Sequence, residues 1–312
     1  MTAGTVAAPG VAPGRAATRG GGPSLVGGRG GIWFVLPFMV VYAAFVLWPL
    51  VYGLGLSFFD TSLVRDESQF VGLANYVRLF SDSEVWRTLG VTLLFTVGST
   101  VPLVVIALVM ALLVQSGVRG QWFWRFVYFA PFLLPVATVA LIWQWLFSGD
   151  FGLINGVLTG LGLPAVGWLT EPDIGLWSVV ILTVWWTVGF NFLLYLAALQ
   201  AIPGQLYEAA ELDGAGGWRR LSSITLPLLN RTTGLVVVLQ ILASLKLFDQ
   251  AYILFKASGG PGGSATPILQ YVYDTGFVDY RLGYASAISY MFFVLIILIA
   301  LVQARLTRRS EP

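Results

Sequence analysis

The sequence contains no cysteine and no histidine. Disulfides, thiolate nucleophiles, imidazole bases and the usual zinc ligand sets are therefore excluded. It has two lysines, Lys246 and Lys256, and neither completes a G-x-x-x-x-G-K-[ST] phosphate loop. Any ATP on which the protein depends must be bound by another chain. Charged residues make up 10% of the 312 positions, against about 25% in soluble domains. The net charge of +2 is too small to argue for nucleic acid as a partner.

What is present is apolar length. The chain is 57% hydrophobic with a mean hydropathy of +0.81, so bilayer physics applies to it before core-packing physics. Six apolar blocks of about the 20 residues that one crossing needs lie near 32–58, 88–114, 122–147, 174–199, 232–255 and 284–306. The block at 32–58 is roughly twice the 7–15 residues of a signal-peptide core, so it reads as a retained first span. Residues 1–31 are Gly, Ala and Pro with three arginines and no acid. They are predicted to be a disordered N-terminal tail. The expected organisation is all-α: a six-span membrane domain over 32–306 and a short C-terminal tail over 307–312.

Eleven of the 17 Lys and Arg residues fall at the two termini, in the turn near 115–121 with Arg125 just beyond it, and in the loop at 200–231. Five fall in the alternate segments, and Lys246 lies within a block. The bias of basic residues toward the inner side places both termini and the 200–231 loop in the cytoplasm. Trp33, Trp48, Trp86, Trp122, Trp124, Trp145, Trp168 and Trp177 stand near block ends, where amphipathic rings anchor at the interface.

Polar groups within the blocks are the candidates for a solute pathway, because they are costly in lipid. Thr183, Thr187, Asn191 and Tyr195 follow one another at four-residue spacing on the fourth block, which makes one stripe on a helix. Thr88, Thr92, Thr96 and Thr100 repeat this on the second. A threonine can bond its own i−4 carbonyl, whereas the Asn191 amide needs partners elsewhere. Gln144 and Gln240 are weaker candidates. Lys246 and Asp249, three residues apart, are expected to share a helical face on the fifth block, with Tyr252 nearby. They read either as a structural ion pair or as part of the pathway. Uncharged hydrogen-bonding groups among Trp and Tyr suit a polyol or sugar, while a proton relay would need more carboxylates or histidine.

The loop at 200–231 is the longest polar island between apolar blocks. Residues 205–212 favour helix, glycines at 214, 216 and 217 interrupt it, and 218–226 are expected to form a second short helix stopped by Pro227. The spacing is specific: Glu208-Ala209-Ala210, then Gly214, then Ile224-x-Leu226-Pro227. This resembles the cytoplasmic loop of permease subunits of binding-protein-dependent ABC importers. Phe248-Asp249-x-x-Tyr252, Gly189-Phe190-Asn191 and Gly259-Gly260-Pro261-Gly262-Gly263 are similar to the sugar-importing branch, the larger maltose-type and glycerol-phosphate-type subunits. Asn230 and Val91 depart from that branch, where Pro and Asn are common.

The resemblance implies a bacterial cytoplasmic-membrane protein that performs no bond chemistry and binds no cofactor. ATP and Mg would sit on a partner ATPase dimer. A second homologous permease subunit and an extracytoplasmic solute-binding protein would complete the assembly. Glu208, Ala209, Ala210, Asp213, Gly214, Ile224, Leu226 and Pro227 would be the ATPase-coupling residues. Asn191, Thr187, Tyr195, Gln144, Lys246, Asp249 and Tyr252 would belong to the substrate pathway. An ATP-independent secondary transporter or channel is the alternative, and it would have no need of the loop.

Overall fold

A computed structural model describes residues 30–62, 64, 68–117 and 119–309. The tail expected over 1–31 therefore lies almost wholly outside the described residues. The chain divides between Tyr52 and Gly53 into two bodies. The first contains α1 (Gly30–Tyr42), a π-helical turn at Ala43–Leu47 and the start of α2 (Trp48–Leu56). Together they form a 24-residue apolar helix, Trp33–Leu56, of mean hydropathy 2.3.

The second body is helical apart from one small antiparallel pair, β1 (Phe59–Asp60) with β2 (Gln69–Phe70). In order it holds α3 (Ala74–Ser81), α4 (Ser83–Gln115), α5 (Gln121–Phe129), α6 (Val136–Leu146), α7 (Leu153–Gly160) and α8 (Pro172–Gln200). Then follow α9 (Gly204–Leu212), α10 (Gly217–Arg220), α11 (Leu226–Ser244), α12 (Asp249–Leu254), α13 (Ile268–Tyr273) and α14 (Leu282–Arg309).

The central packing is α4 against α8, with α11 laid across both. Along α4 the buried positions Ser99, Thr100, Leu103, Ala107, Ala111 and Val114 repeat at helical spacing. The small residues among them let the backbones approach, which is how membrane helices gain dispersion contact without a hydrophobic drive. Leu103, Ala107 and Ala111 meet Phe192, Tyr195 and Leu196 of α8 and Leu229 and Val236 of α11. A second cluster joins Phe95 to Val139 and Trp143 of α6, Val179 of α8 and Leu254 of α12. The threonine stripe on α4 is buried. Thr88, Thr92 and Thr96 each donate to the carbonyl four residues back, at 2.8–2.9 Å. Thr92 also accepts from the Ile268 backbone N–H at 2.9 Å, so it pins α13 to the second span.

The structure revises two of the expected blocks. The third, 122–147, is not one straight helix. It is the pair Gln121–Leu133 and Val136–Leu146, bent by 96°. Leu134 precedes Pro135 and is extended at ψ 140°, as the steric demand of a following proline ring requires. Counting that pair as one crossing, the described residues hold six apolar crossings. The fifth crossing is the continuous helix Gly217–Ser244, displaced toward the loop from the expected 232–255. It ends before Lys246, and Phe248, at φ −151° and ψ −70°, lies between it and α12. Lys246 and Asp249 therefore do not share a helical face. Both are exposed, and they form no ion pair among the described residues.

At the end of α4 opposite the 200–231 loop, Asp82 caps the helix by accepting from the Glu84 backbone N–H at 2.9 Å. It also accepts from the hydroxyls of Tyr271 at 2.9 Å and Tyr284 at 2.6 Å. Burial pushes the Asp82 carboxyl up, but these hydrogen bonds outweigh it and hold it below its ordinary value. Burial, and then donation to the carboxylate, push the Tyr271 phenol up to about 12. This knot fastens the starts of the second and sixth spans to α13.

Candidate functional site

Two regions carry the chemistry of interest: the loop between the fourth and fifth spans, and a cavity among the second to fifth.

In the loop, α9 runs from Gly204 to Leu212 after Pro203, close to the helix read from the sequence. Its end is built around Gly214. The Gly214 N–H donates to the Glu211 carbonyl at 3.0 Å and the Ala215 N–H to the Ala210 carbonyl at 2.9 Å. That pairing is a Schellman motif, which needs a residue in the left-handed region just past the cap. Gly214 has φ +73°, a conformation a side chain disfavours. Nothing lies within 4 Å of where its Cβ would be. The demand for glycine is thus conformational and not one of space.

The second arm departs from expectation. Pro227 does not stop a short helix. The chain continues from α10 through a π-helical turn at Leu221–Thr225 directly into α11. In that turn the Leu226 N–H reaches back to the Leu221 carbonyl. Pro227 has no N–H for the carbonyl of Ser223 and its ring would crowd that group. The wide turn just ahead absorbs the defect, so a break predicted from proline alone becomes a bulge.

The two arms are fastened to each other. The Tyr207 hydroxyl lies 3.0 Å from the Thr225 hydroxyl, and Arg220 Nη1 lies 3.2 Å from Glu211 Oε2. Glu208, Ala209 and Asp213 are exposed, as are Leu226 and Pro227, while Ala210 and Ile224 are half-buried. Leu212 and Trp218, which the motif reading passed over, are 90% and 78% exposed and flank the glycine turn.

The cavity has a volume of about 300 Å³. Its wall includes Phe132, Trp186 and Phe190 on one side and Thr183, Thr187, Asn191, Gln240 and Ser244 on the other, with Gln250 at one end and no charged side chain. Gly189 lies on α8 between two of its lining residues, Thr187 and Phe190. A Cβ there would fall 2.1 Å from the Tyr128 carbonyl oxygen, so only glycine lets α5 pass this close to α8. The polar wall is a chain of hydrogen bonds. Asn191 Nδ2 donates to Gln240 Oε1 at 3.0 Å, and Gln240 Nε2 donates to Ser244 Oγ at 3.1 Å. Ser244 Oγ and Ser99 Oγ are 2.9 Å apart. Three spans thereby share one polar network. Thr187 donates to the Thr183 carbonyl at 2.8 Å, whereas the buried Thr183 hydroxyl has no partner among the described residues.

Of the pathway residues named from the sequence, Asn191 and Thr187 line this cavity. Tyr195 is fully buried against α4 and α11. Gln144 lines a different pocket and donates to the Leu254 carbonyl at 2.9 Å. Tyr252 packs in an aromatic group with Phe248 and Tyr273. Lys246 and Asp249 line neither cavity. Ser99, Ser244 and the Phe132 wall went unread in the sequence, because isolated serines and aromatics in apolar blocks carry no periodic signal.

Among the described residues no group of three or more His, Cys, Asp or Glu side chains could hold a metal. Residues 103–312 match the model of the family described as binding-protein-dependent transport system inner membrane component. The chain is 35% identical over 281 residues to the trehalose/maltose transport system permease protein MalF of Thermococcus litoralis, covering 89% of this chain and 93% of that protein. It is 31% identical over 281 residues to the sulfoquinovosyl glycerol transport system permease protein SmoG of Agrobacterium fabrum, covering 90% and 91%. A chain in the crystal structure of a bacterial alginate ABC transporter, in complex with its pentasaccharide-bound periplasmic protein, superposes with a TM-score of 0.77. It is 23% identical, and 90% of this chain and 96% of that one are covered. The likeness places the helical arrangement in the same fold.

Proposed function

The chain belongs to the binding-protein-dependent transport system inner membrane components, and from that premise we propose that it passes an uncharged sugar or sugar-like solute into the cytoplasm. The observation that carries this is the wall of the 300 Å³ cavity, where amide and hydroxyl groups stand among four aromatic side chains with no charged group. A sugar offers hydroxyls to the first and apolar C–H faces to the second. The Thr183 hydroxyl beside this wall is buried and has no partner among the described residues. A relative named for trehalose and maltose transport supports the same class.

In this reading Asn191, Gln240, Ser244 and Thr183 contact the solute, and Thr187 lies beside them. The chain catalyses no bond change. It works in a cytoplasmic membrane with both termini and the 200–231 loop inside, as the basic-residue bias suggests. The membrane domain covers 32–306. Hydrolysis of ATP with Mg belongs to an ATPase dimer, a second permease subunit completes the pathway, and a solute-binding protein delivers the sugar.

The Glu208–Pro227 segment seats on the ATPase. Its Schellman turn, Glu211–Arg220 pair and Tyr207–Thr225 bond make it one stiff unit, so displacement by the ATPase is passed into α11 and not lost in the loop. α11 carries Gln240 and Ser244. Loop and cavity are thus on one helix, which is the two-site coupling that transport requires. The test is reconstitution of the full complex with uptake of labelled disaccharide in proteoliposomes. ATP-dependent accumulation that requires the binding protein is expected. Downhill flux without ATP would overturn the reading in favour of a secondary transporter or channel.

A further inference from the structure

A second pocket, of about 490 Å³, lies away from the sugar cavity, between the end of α6 and the turn that follows α12. Ligand sites commonly fall in the range of roughly 300–1,000 Å³. Its wall includes Gln144, Trp145, Phe151, Thr170, Lys256 and Ser258. Lys256 is the only charged residue on it, and none of its lining residues is acidic. No carboxylate forms an ion pair with Lys256 among the described residues.

The backbone that presents this lysine is unusual. Lys256 has φ +49° and Ala257 φ +64°, so two successive side-chain-bearing residues occupy the left-handed region. That conformation is sterically disfavoured and survives only where its surroundings enforce it. Here the Ala257 N–H donates to the Tyr252 carbonyl at 2.7 Å, and Gln270 Nε2 donates to the Ala257 carbonyl at 3.0 Å. Gln144 clamps the Leu254 carbonyl just before the turn. Glycines at 259, 260, 262 and 263 adopt positive φ immediately afterwards. The chain therefore has glycine to hand for such turns and yet keeps a lysine at 256.

We propose that this pocket is the receptor for an acidic side chain at the docking surface of the solute-binding protein, with Lys256 as the charge that receives it. The proposal rests on the importer reading above, which puts this end of the spans outside. The family is defined by dependence on a binding protein, and a lone cation in a polar and aromatic pocket calls for an anion. Lys256 is exposed, so an acidic group on a docking partner can reach it directly.

The experiment measures ATPase stimulation of the reconstituted complex as binding protein is titrated, for wild type, Lys256→Glu and Lys256→Arg. Lys256→Glu is expected to raise the half-stimulating concentration by about tenfold or more, since like charges across an interface are strongly penalised. The shift should shrink at high salt and be absent in Lys256→Arg. A reversed charge at one acidic surface position of the binding protein should restore Lys256→Glu. Equal half-stimulating concentrations for wild type and Lys256→Glu, with the ATPase still co-purifying, would overturn the proposal. So would a Lys256→Glu defect that follows the anionic-lipid content of the bilayer and is indifferent to the binding protein, because the occupant would then be a headgroup. A wild-type complex that no binding protein stimulates would overturn the importer reading itself, and this proposal with it.

Discussion

The 208–227 loop and the solute cavity are built on opposite principles. The loop is local: its two arms are contiguous in sequence, and one glycine at φ +73° sets the angle between them. The cavity is assembled from α4, the bend between α5 and α6, α8 and α11, and its hydrogen bonds join residues 49 and 145 positions apart. A local device fails through its backbone, and a composite one through a lost partner. The consequences should therefore separate cleanly between coupling and solute handling.

Gly214→Val is the sharpest way to break that separation. A β-branched residue in the left-handed region costs about 1–2 kcal/mol or more, and it strikes the Schellman turn on which both arms depend. Co-purification with the ATPase should fall by about tenfold or more. The spans should still insert, because the position is exposed and touches nothing. Gly214→Asn should be milder, since asparagine tolerates this region. Wild-type docking in Gly214→Val would show that the turn is not what presents the loop.

Asn191→Leu tests the other side. It leaves Gln240 Oε1 without its donor, which costs about 1–3 kcal/mol in a buried site. Uptake should drop several-fold while ATPase co-purification stays at wild-type level. Loss of both together would mean that the cavity network is structural.

Thr92→Val removes the acceptor for the buried Ile268 N–H. The protein should lose about 1–3 kcal/mol of stability, read as an earlier thermal transition in detergent, with the loop undisturbed. The Asp82 knot gives a pH signature. Burial pushes its folded-state carboxyl up, but hydrogen bonds from Tyr284, Tyr271 and the Glu84 N–H outweigh this and depress it below its ordinary value. Its contribution is therefore complete above the unfolded value and is lost as pH falls through the folded one. A melting temperature that declines below about pH 4 in wild type and declines less in Asp82→Asn would report it. The smallest effect belongs to Glu211→Ala. The pair with Arg220 is largely exposed, so its removal should cost about 0.2–1 kcal/mol and weaken docking only slightly.

The loop was legible because its information is short-range. Gln205–Leu212 has helix-forming composition, Gly214 marks the cap and the flanking spacing is fixed. The reading failed at Pro227, where a π-helical turn that no propensity encodes carries the helix through. In the membrane, apolar length located the six crossings, but Pro135 turned one of them through 96°. Asn191 was found because an amide in an apolar block stands out. Its partner Gln240 was seen without the link between them, and Ser99 and Ser244 were lost among other small residues. Lys246 and Asp249 were paired by assuming an unbroken helix, which ends at Ser244.

By itself the sequence determined that this is a helical membrane protein, where its apolar spans lie, and where the turn at Gly214 falls. Those properties follow from composition, length and backbone conformation, which act over a few residues. Only the tertiary structure decided which polar groups face one another, which threonines are left with unpartnered hydroxyls, and that the glycine at 189 is needed for α5 to pass α8. Side chains far apart in the chain meet only when helices cross, and the geometry of a crossing is set by close packing that no periodicity records.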